Sequence, residues 1–348
     1  MKKLTIIFAA ALALATGCTE QPTPDDAPTG LQRAYVLNEG SWGSNNGSLS
    51  RITPDKVTNN WFANSNQRGL GDLAQDMIHY GTTLYIAVHG SNTIECVDPA
   101  NGISRKQIDM GGRGPRYMAA HNGKVYVSCY DKTIVRIDTA TLAIDAACRL
   151  SGMQPEQLCI AGNKIYVCNG WQYGSNGTVE YDSTLSIVSL SDFSETGKIT
   201  VGANPNRIKA IDNHRILVAC LGDYGDRAAT TLVIDLNDNS QTPLSVNATN
   251  FDICGDSIYL YHTTYDNNMN TSAQFYVVDA GNLTATPILE DYGNALSSAY
   301  GINVDPVSKD LFICNSRWGV NSDVYHFSRN GKLINRFETG IFASKVVF

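Results

Sequence analysis

The sequence predicts an all-β protein, a seven-bladed β-propeller whose ring is closed by its own C-terminal strand joining the first blade. Three observations predict it. An aliphatic-aromatic-aliphatic strand phrase recurs seven times, and a second phrase precedes it in most copies. The last copy of the second phrase stands at the extreme C-terminus without a partner, while the first copy of the first phrase lacks one.

The first phrase begins as Ala34-Tyr35-Val36-Leu37-Asn38, Leu84-Tyr85-Ile86-Ala87-Val88 and Val125-Tyr126-Val127-Ser128-Cys129. It returns as Ile165-Tyr166-Val167-Cys168-Asn169, Ile216-Leu217-Val218-Ala219-Cys220, Ile258-Tyr259-Leu260-Tyr261-His262 and Leu311-Phe312-Ile313-Cys314-Asn315. Its second positions lie 50, 41, 40, 51, 42 and 53 residues apart. A strand-type repeat of about 45 residues is the length of one four-stranded propeller blade.

The second phrase opens on a small residue or Pro, adds two polar or variable residues, and ends in three mostly apolar ones. Its copies are Pro115 to Ala120, Pro155 to Ile160, Pro205 to Ala210, Ala248 to Ile253 and Ala299 to Val304, with a looser match from Leu73 to Ile78. The unpartnered copy, Ala343 to Phe348, is expected to supply the innermost strand of blade 1. No stretch beyond the N-terminus carries sustained helical periodicity.

Residues 1–18 read as a targeting segment. Lys2 and Lys3 form a basic end, Leu4 to Leu14 an apolar run shorter than the ~20 residues of a membrane span, and Ala15-Thr16-Gly17-Cys18 a processing site. Small residues ending in Cys18 resemble the bacterial lipobox, whose Cys sulfur receives the lipid; plain secretion is the alternative. Residues 19–32 are a polar, Pro-containing tether, and residues 33–348 the propeller. Glu20, Asp25 and Asp26 resemble a surface-export signal of Bacteroidetes lipoproteins, or simply solvate the tether.

Formal net charge is −7, and loss of Lys2 and Lys3 with the leader makes it −9. That balance argues against nucleic acid as a partner, because phosphate binding needs a basic footprint. The other eight cysteines (Cys96, Cys129, Cys148, Cys159, Cys168, Cys220, Cys254 and Cys314) fall mostly inside strand phrases without a metal-type spacing, where Cys acts as a small hydrophobe. A Cys159–Cys168 disulfide is open to an exported protein. No cofactor is expected.

In a propeller the residues following each second strand and those entering each first strand share one face around the channel. The loops expected there carry three of the four Trp (Trp42, Trp171 and Trp318), together with Tyr130, Tyr173, Tyr224, Tyr265, His89 and Arg317. The first-strand entries add Gln75, Asp76, Arg116, Tyr117, Glu156, Gln157, Asn206, Arg207, Asn250, Tyr300 and Lys345. An aromatic rim around a polar ring suits a large amphipathic ligand rich in amides or hydroxyls.

Each loop Trp could instead brace one blade against the next, and Arg116 and Arg207 could pair with Asp76 or Glu156. Asp223, Asp226 and Asp266 read better as turn formers than as calcium ligands. Catalysis has only His89 and His262 to draw on at this face, without a motif for a nucleophile.

Cys18 with its acidic tether, the Tyr35-Val36-Leu37-Asn38-Glu39-Gly40 opening, Trp42-Gly43-Ser44-Asn45 and the seven repeats resemble the Bacteroidetes YncE-like surface propeller lipoproteins. The likeness extends to their BtuG group, over essentially the whole mature chain. It implies a protein anchored in the outer membrane by its lipid and facing the cell exterior. It also implies capture of cobalamin (vitamin B12) or another corrinoid, delivered to a TonB-dependent transporter of the BtuB type. A glycan-binding or adhesive scaffold and a propeller lyase or hydrolase using His89 and His262 are the competing expectations.

Overall fold

The computed structural model describes residues 31–266, 268 and 270–348. The leader, Cys18 and tether residues 19–30 lie outside them. Seven four-stranded antiparallel sheets follow one another round a ring, each with its strands in chain order from the channel outward. Blade 1 is the exception, built from both ends of the chain.

The two sequence phrases are the two inner strands. The second phrase forms the channel-lining strand a, as in Pro205–Ala210 and Ala299–Val304, and the first forms strand b, as in Ala34–Asn38 and Leu311–Asn315. Ala343–Val347 pairs antiparallel with Ala34–Asn38, in register Tyr35↔Val347 and Val36↔Val346, so the ring closes as expected. Gly301 sits at this seam: a Cβ there would come within 2.1 Å of the Ser344 carbonyl oxygen.

Burial explains the strand b composition. Every residue of Ala34–Asn38, of Thr83–Val88 and of Leu311–Asn315 is buried, since both faces of the sheet pack on neighbouring blades. Successive side chains point to opposite faces, so each phrase serves two interfaces. Ala34 and Val36 pack with Phe312 of blade 7, whereas Tyr35 and Leu37 pack with Met77, Leu84 and Ile86 of blade 2. The second position always faces the next blade: Tyr85 toward blade 3, Tyr126 toward blade 4, Tyr166 toward blade 5, Leu217 toward blade 6, Tyr259 toward blade 7 and Phe312 toward blade 1. The repeated aromatic is an inter-blade wedge.

Strand a has no sheet neighbour on its channel side, and its backbone N–H groups there need partners. Side chains of the preceding blade supply several. Asp76 accepts from Met118 N at 2.8 Å, Gln157 from Ile208 N at 2.8 Å, Asp252 from Val304 N at 2.9 Å, and Asn303 from Val346 N at 2.8 Å. The channel wall is stitched from blade to blade.

One six-residue helix, Trp61–Asn66, departs from the absence of helix that periodicity suggests. It covers the outer end of the blade 1–2 seam, burying Trp61 against Tyr35 at 5.3 Å between ring centroids. A single turn or two is too short for periodicity to register. All eight described cysteines are free, and only Cys254 is less than buried.

Two variants test the closure. Deleting Ala343 to Phe348 should abolish the cooperative urea transition, because it exposes two sheet edges. Gly301→Ala should fold but lose about 1–3 kcal/mol through overpacking at the seam. A Gly301→Ala melt superimposed on the parent would show that the seam yields freely.

Candidate ligand-binding face

Strand a starts, and strand b ends, at one rim of the channel: Ala74 pairs with Val88, Pro115 with Cys129, Pro205 with Cys220 and Ala299 with Asn315. The aromatic residues expected there form a contact chain across four blades. Trp42 lies 5.9 Å from His89, His89 5.1 Å from Tyr130, Tyr130 6.3 Å from Trp171, and Trp171 5.2 Å from Tyr173, all between ring centroids.

The support under this arc is specific. Asp72 accepts from Gly43 N and Asn45 N, and Asn46 Oδ1 from Ser41 N, which fixes the loop carrying Trp42. Lys132 Nζ donates to Gln172 at 2.8 Å, tying the blade 3 loop to blade 4.

Three of the aromatics expected on loops stand on strands. Trp171 and Tyr173 belong to Lys164–Tyr173, which pairs with Val179–Ser189, and Tyr265 ends Ser257–Tyr265, which pairs with Thr271–Asp279. Blades 4 and 6 therefore raise long hairpins above the rim. Beyond Asn169, where the strand phrase ends, the strand continues through a bulge, with a register shift between Asn169 and Trp171. Asn169 is buried and donates to Thr184 Oγ1 and Ser186 Oγ.

On the other side of the rim, Tyr224 of blade 5 is 78% exposed and leans on Tyr181 of the blade 4 hairpin at 6.1 Å. Trp318 of blade 7 is 82% exposed and rests edge-on against Phe342 at 5.2 Å, with Tyr300 against the same ring. Tyr265 and Trp42 are likewise exposed, whereas Trp171 is half-buried. Arg317 is exposed and makes no ion pair among the described residues.

Inside the arc is a polar mouth. Arg116 donates to Glu156 at 2.9 Å and also to Gln75, while the Tyr130 hydroxyl donates to the other Glu156 oxygen at 2.8 Å. Arg116 and Arg207 flank Tyr117, with guanidinium carbons 5.5 and 5.2 Å from its ring, and Arg207 donates to the Tyr117 hydroxyl. Lys345 pairs with Asp76. Arg116 therefore takes the Glu156 partner the sequence offered it, and Arg207 takes neither Asp76 nor Glu156.

Tyr117 and Gln157 act below the surface. Tyr117 is buried, and Gln157 spends its carbonyl on the channel stitch. Asn250 donates to the Tyr300 carbonyl at 3.2 Å and accepts from Phe251 N.

Glu39 is the residue that sequence reasoning missed. It follows Asn38 on the strand b exit of blade 1 and is buried beside Tyr300, whose hydroxyl lies 3.1 Å from its carboxylate. Its burial is created by blade 7, far away in sequence, so local context carries no sign of it. Desolvation pushes its pKa up to about 7, against smaller opposing effects of Tyr300, Arg116 and Arg207. Burial also raises the Tyr130 hydroxyl, helped by Glu156, and lowers His89, helped by Arg116. His89 is half-buried, with Nδ1 3.2 Å from the Pro115 carbonyl.

Two hollows open on this face. A small one of about 50 Å³ lies at the mouth between Glu39, Arg207, Tyr300 and Lys345. A cleft of about 510 Å³ lies between blades 5, 6 and 7, with Arg207 and Asn250 inward and Tyr224, Tyr265 and Tyr300 as walls. His262 lines this cleft on blade 6, with blades 7 and 1 between it and His89 of blade 2, so the two imidazoles are not brought together. Asp223 and Asp266 close turns, accepting from Gly225 and Arg227 N and from Asn268 and Asn270 N respectively. Among the described residues no group of three His, Cys, Asp or Glu is placed to hold a metal ion.

The fold defines the class, a seven-bladed β-propeller with a decorated rim face. No family model matches the chain, and no curated protein does. Solved structures match at the level of fold. Kuenenia stuttgartiensis hydrazine synthase has a TM-score of 0.61 at 14% identity, covering 75% of this chain and 85% of its own. The computationally designed Ika8 protein has a TM-score of 0.58 at 10% identity, covering 91% and 90%. The Pan2 WD40 domain of Neurospora crassa has a TM-score of 0.56 at 11% identity, covering 85% of each. Identities this low carry the architecture alone.

Glu39 yields a pH prediction. A carboxyl whose folded pKa exceeds its unfolded value holds its proton more tightly in the fold. Its contribution is therefore complete below the unfolded value of 4.5 and is lost as pH rises through about 7. At ~1.4 kcal/mol per unit this amounts to roughly 3 kcal/mol. Urea melts at pH 5 and pH 8 should show Glu39→Gln removing about that much of the parent's loss. Equal pH slopes in parent and variant would show a carboxyl that titrates normally.

Proposed function

We propose that this propeller is a capture protein whose rim face binds a large amphipathic ligand, with cobalamin or a related corrinoid as that ligand. The observation that carries the reading is the aromatic chain from Trp42 to Tyr173, lying beside an amide- and hydroxyl-lined cleft. A broad apolar ring edged with amides has both complements there: flat aromatic area and convergent polar groups. The corrinoid itself comes from the resemblance to the BtuG group. So do the lipid anchor at Cys18, the outer-membrane surface location and delivery to a BtuB-type TonB-dependent transporter.

Chain direction is consistent with such an anchor. Strand b of blade 1 runs toward the rim, so residues 31–33 precede it on the opposite face. Phe348 lies on that face too, its carbonyl 2.7 Å from His79 Nδ1. Residues 31–33 and Phe348 thus lie on the face opposite the aromatic rim.

Binding is favoured over catalysis by the histidines. His89 is wedged between Trp42 and Tyr130 and His262 stands in another sector, so neither has the paired base and orienting group that nucleophilic chemistry needs.

Calorimetric titration with cyanocobalamin and with a panel of oligosaccharides tests the reading. Corrinoid binding with no sugar binding is expected; sugar binding alone would make the face a glycan scaffold, and no corrinoid binding at micromolar protein removes the proposal. Trp42→Ala and Trp318→Ala should each weaken binding at least ~10-fold, about 1.4 kcal/mol, with little change in Tm. Trp171→Ala, half-buried between Tyr130 and Tyr173, should lower both affinity and Tm. A Trp318→Ala protein with unchanged affinity would take blade 7 out of the site.

A further inference from the structure

The cleft between blades 5, 6 and 7 has a charge pattern that the capture reading does not use. We propose that it is a subsite for an organic oxyanion, a carboxylate or a phosphate ester, with the Arg207 guanidinium as receptor. The proposal rests on the capture reading for the rest of the ligand, and its test separates the two.

Ion pairing around the channel is the first argument. Arg116 has Glu156 at 2.9 Å, Lys345 has Asp76, and Lys209 has Asp252. Arg207 touches the Tyr117 hydroxyl through one nitrogen and has no carboxylate within ion-pair distance among the described residues. The carboxylates sharing the mouth are engaged elsewhere: Glu156 by Arg116 and Tyr130, Asp76 by Lys345, Glu39 by the Tyr300 hydroxyl. A guanidinium carries five donors in a planar fork suited to two oxygens of one anion.

The lining is the second argument. In a chain of net charge −7, no described carboxylate lines the cleft. Arg207 is accompanied instead by side chains such as Asn206, Thr249, Asn250, Thr263 and Ser298, which bring amide N–H and hydroxyl donors. The volume, about 510 Å³, exceeds what an inorganic ion fills and falls in the range of sites for organic molecules. Tyr224 and Tyr265 supply flat walls for the organic part.

Saturation-transfer NMR with phenyl phosphate, benzoate and the neutral benzyl alcohol tests this without any corrinoid. The parent should saturate both anions more strongly than the alcohol. Arg207→Gln should lower the anion signals at least tenfold and leave the alcohol signal alone, and Arg207→Lys should restore part of the loss. Arg207→Gln also removes the bond to Tyr117, so Ser298→Trp, which fills the cleft and leaves Arg207 in place, gives a second route to the same loss. Anion signals equal to the alcohol signal in the parent, or persisting in either folded variant, overturn the proposal.

Cyanocobalamin, which carries a phosphodiester, and cobinamide, which lacks one, form the second arm. Arg207→Gln should weaken the first at least tenfold and the second less than twofold; equal losses would make Arg207 a scaffold residue. Absence of corrinoid binding with Arg207-dependent anion binding would refute the corrinoid and keep the subsite.

Discussion

The wedge between neighbouring blades is the interaction on which the rest of this structure depends. A blade is a twisted sheet buried on both faces, and its packing with the next must be filled at one depth seven times. The second residue of the strand b phrase does this, as Tyr35, Tyr85, Tyr126, Tyr166, Tyr259 and Phe312, with Leu217 in blade 5. A buried aromatic removes ~150–250 Å² from water, worth several kcal/mol at ~25 cal/mol/Å² before entropy is counted. Tyr is tolerated there when its polar tip finds a partner, as Tyr35 does at the Pro99 carbonyl of blade 2. The wedge sets the spacing of the blades and hence the positions of everything at the rim.

The channel stitch acts at a smaller radius and answers a different need. Wedges fill volume but leave the inner edge of strand a with unpaired donors, a state both costly and prone to association. Asp76, Gln157, Asp252 and Asn303 meet it with oxygens borrowed from the preceding blade. Asp76 and Asp252 also hold Lys345 and Lys209, so the same carboxylates neutralise the channel cations. Polar groups at the mouth are thereby divided into those that build the wall and those that line the open cleft. Gln157 and Tyr117 are in the first group; Arg207 and Asn250 face the cleft.

Sequence periodicity made the ring legible because a propeller repeats its burial pattern. The strand a and strand b phrases match Pro205–Ala210, Ala299–Val304 and Ala34–Asn38 residue for residue, and the orphan copy at the C-terminus closes blade 1. The rim was legible in membership more than in form. The strand b phrase of blade 4 ends at Asn169, but the strand runs on to Tyr173 through a bulge, where Asn169 makes buried bonds to Thr184 and Ser186. Glu39 was illegible because Tyr300, from another blade, creates its environment. Trp61 lies in a helix too short for any period to show.

A sevenfold scaffold carries an asymmetric face, and the hairpins explain how. Blades 4 and 6 extend strand b to ten and nine residues, whereas that of blade 5 between them stays at six. The cleft opens where tall blade 6 stands between blades 5 and 7, whose strands b have six and five residues, and Arg207 lines it from the start of the blade 5 inner strand. Two-stranded extensions of this kind are marginal alone in water. The blade 4 hairpin is held by Trp171 against Tyr130 on one side and Tyr181 against Tyr224 on the other. The aromatics of the rim therefore serve the fold as well as the proposed binding face, because they keep the hairpin upright. Exposure sorts them, since Trp318 and Trp42 have most of their surface in water and little to hold up, while Trp171 is already committed to its neighbours.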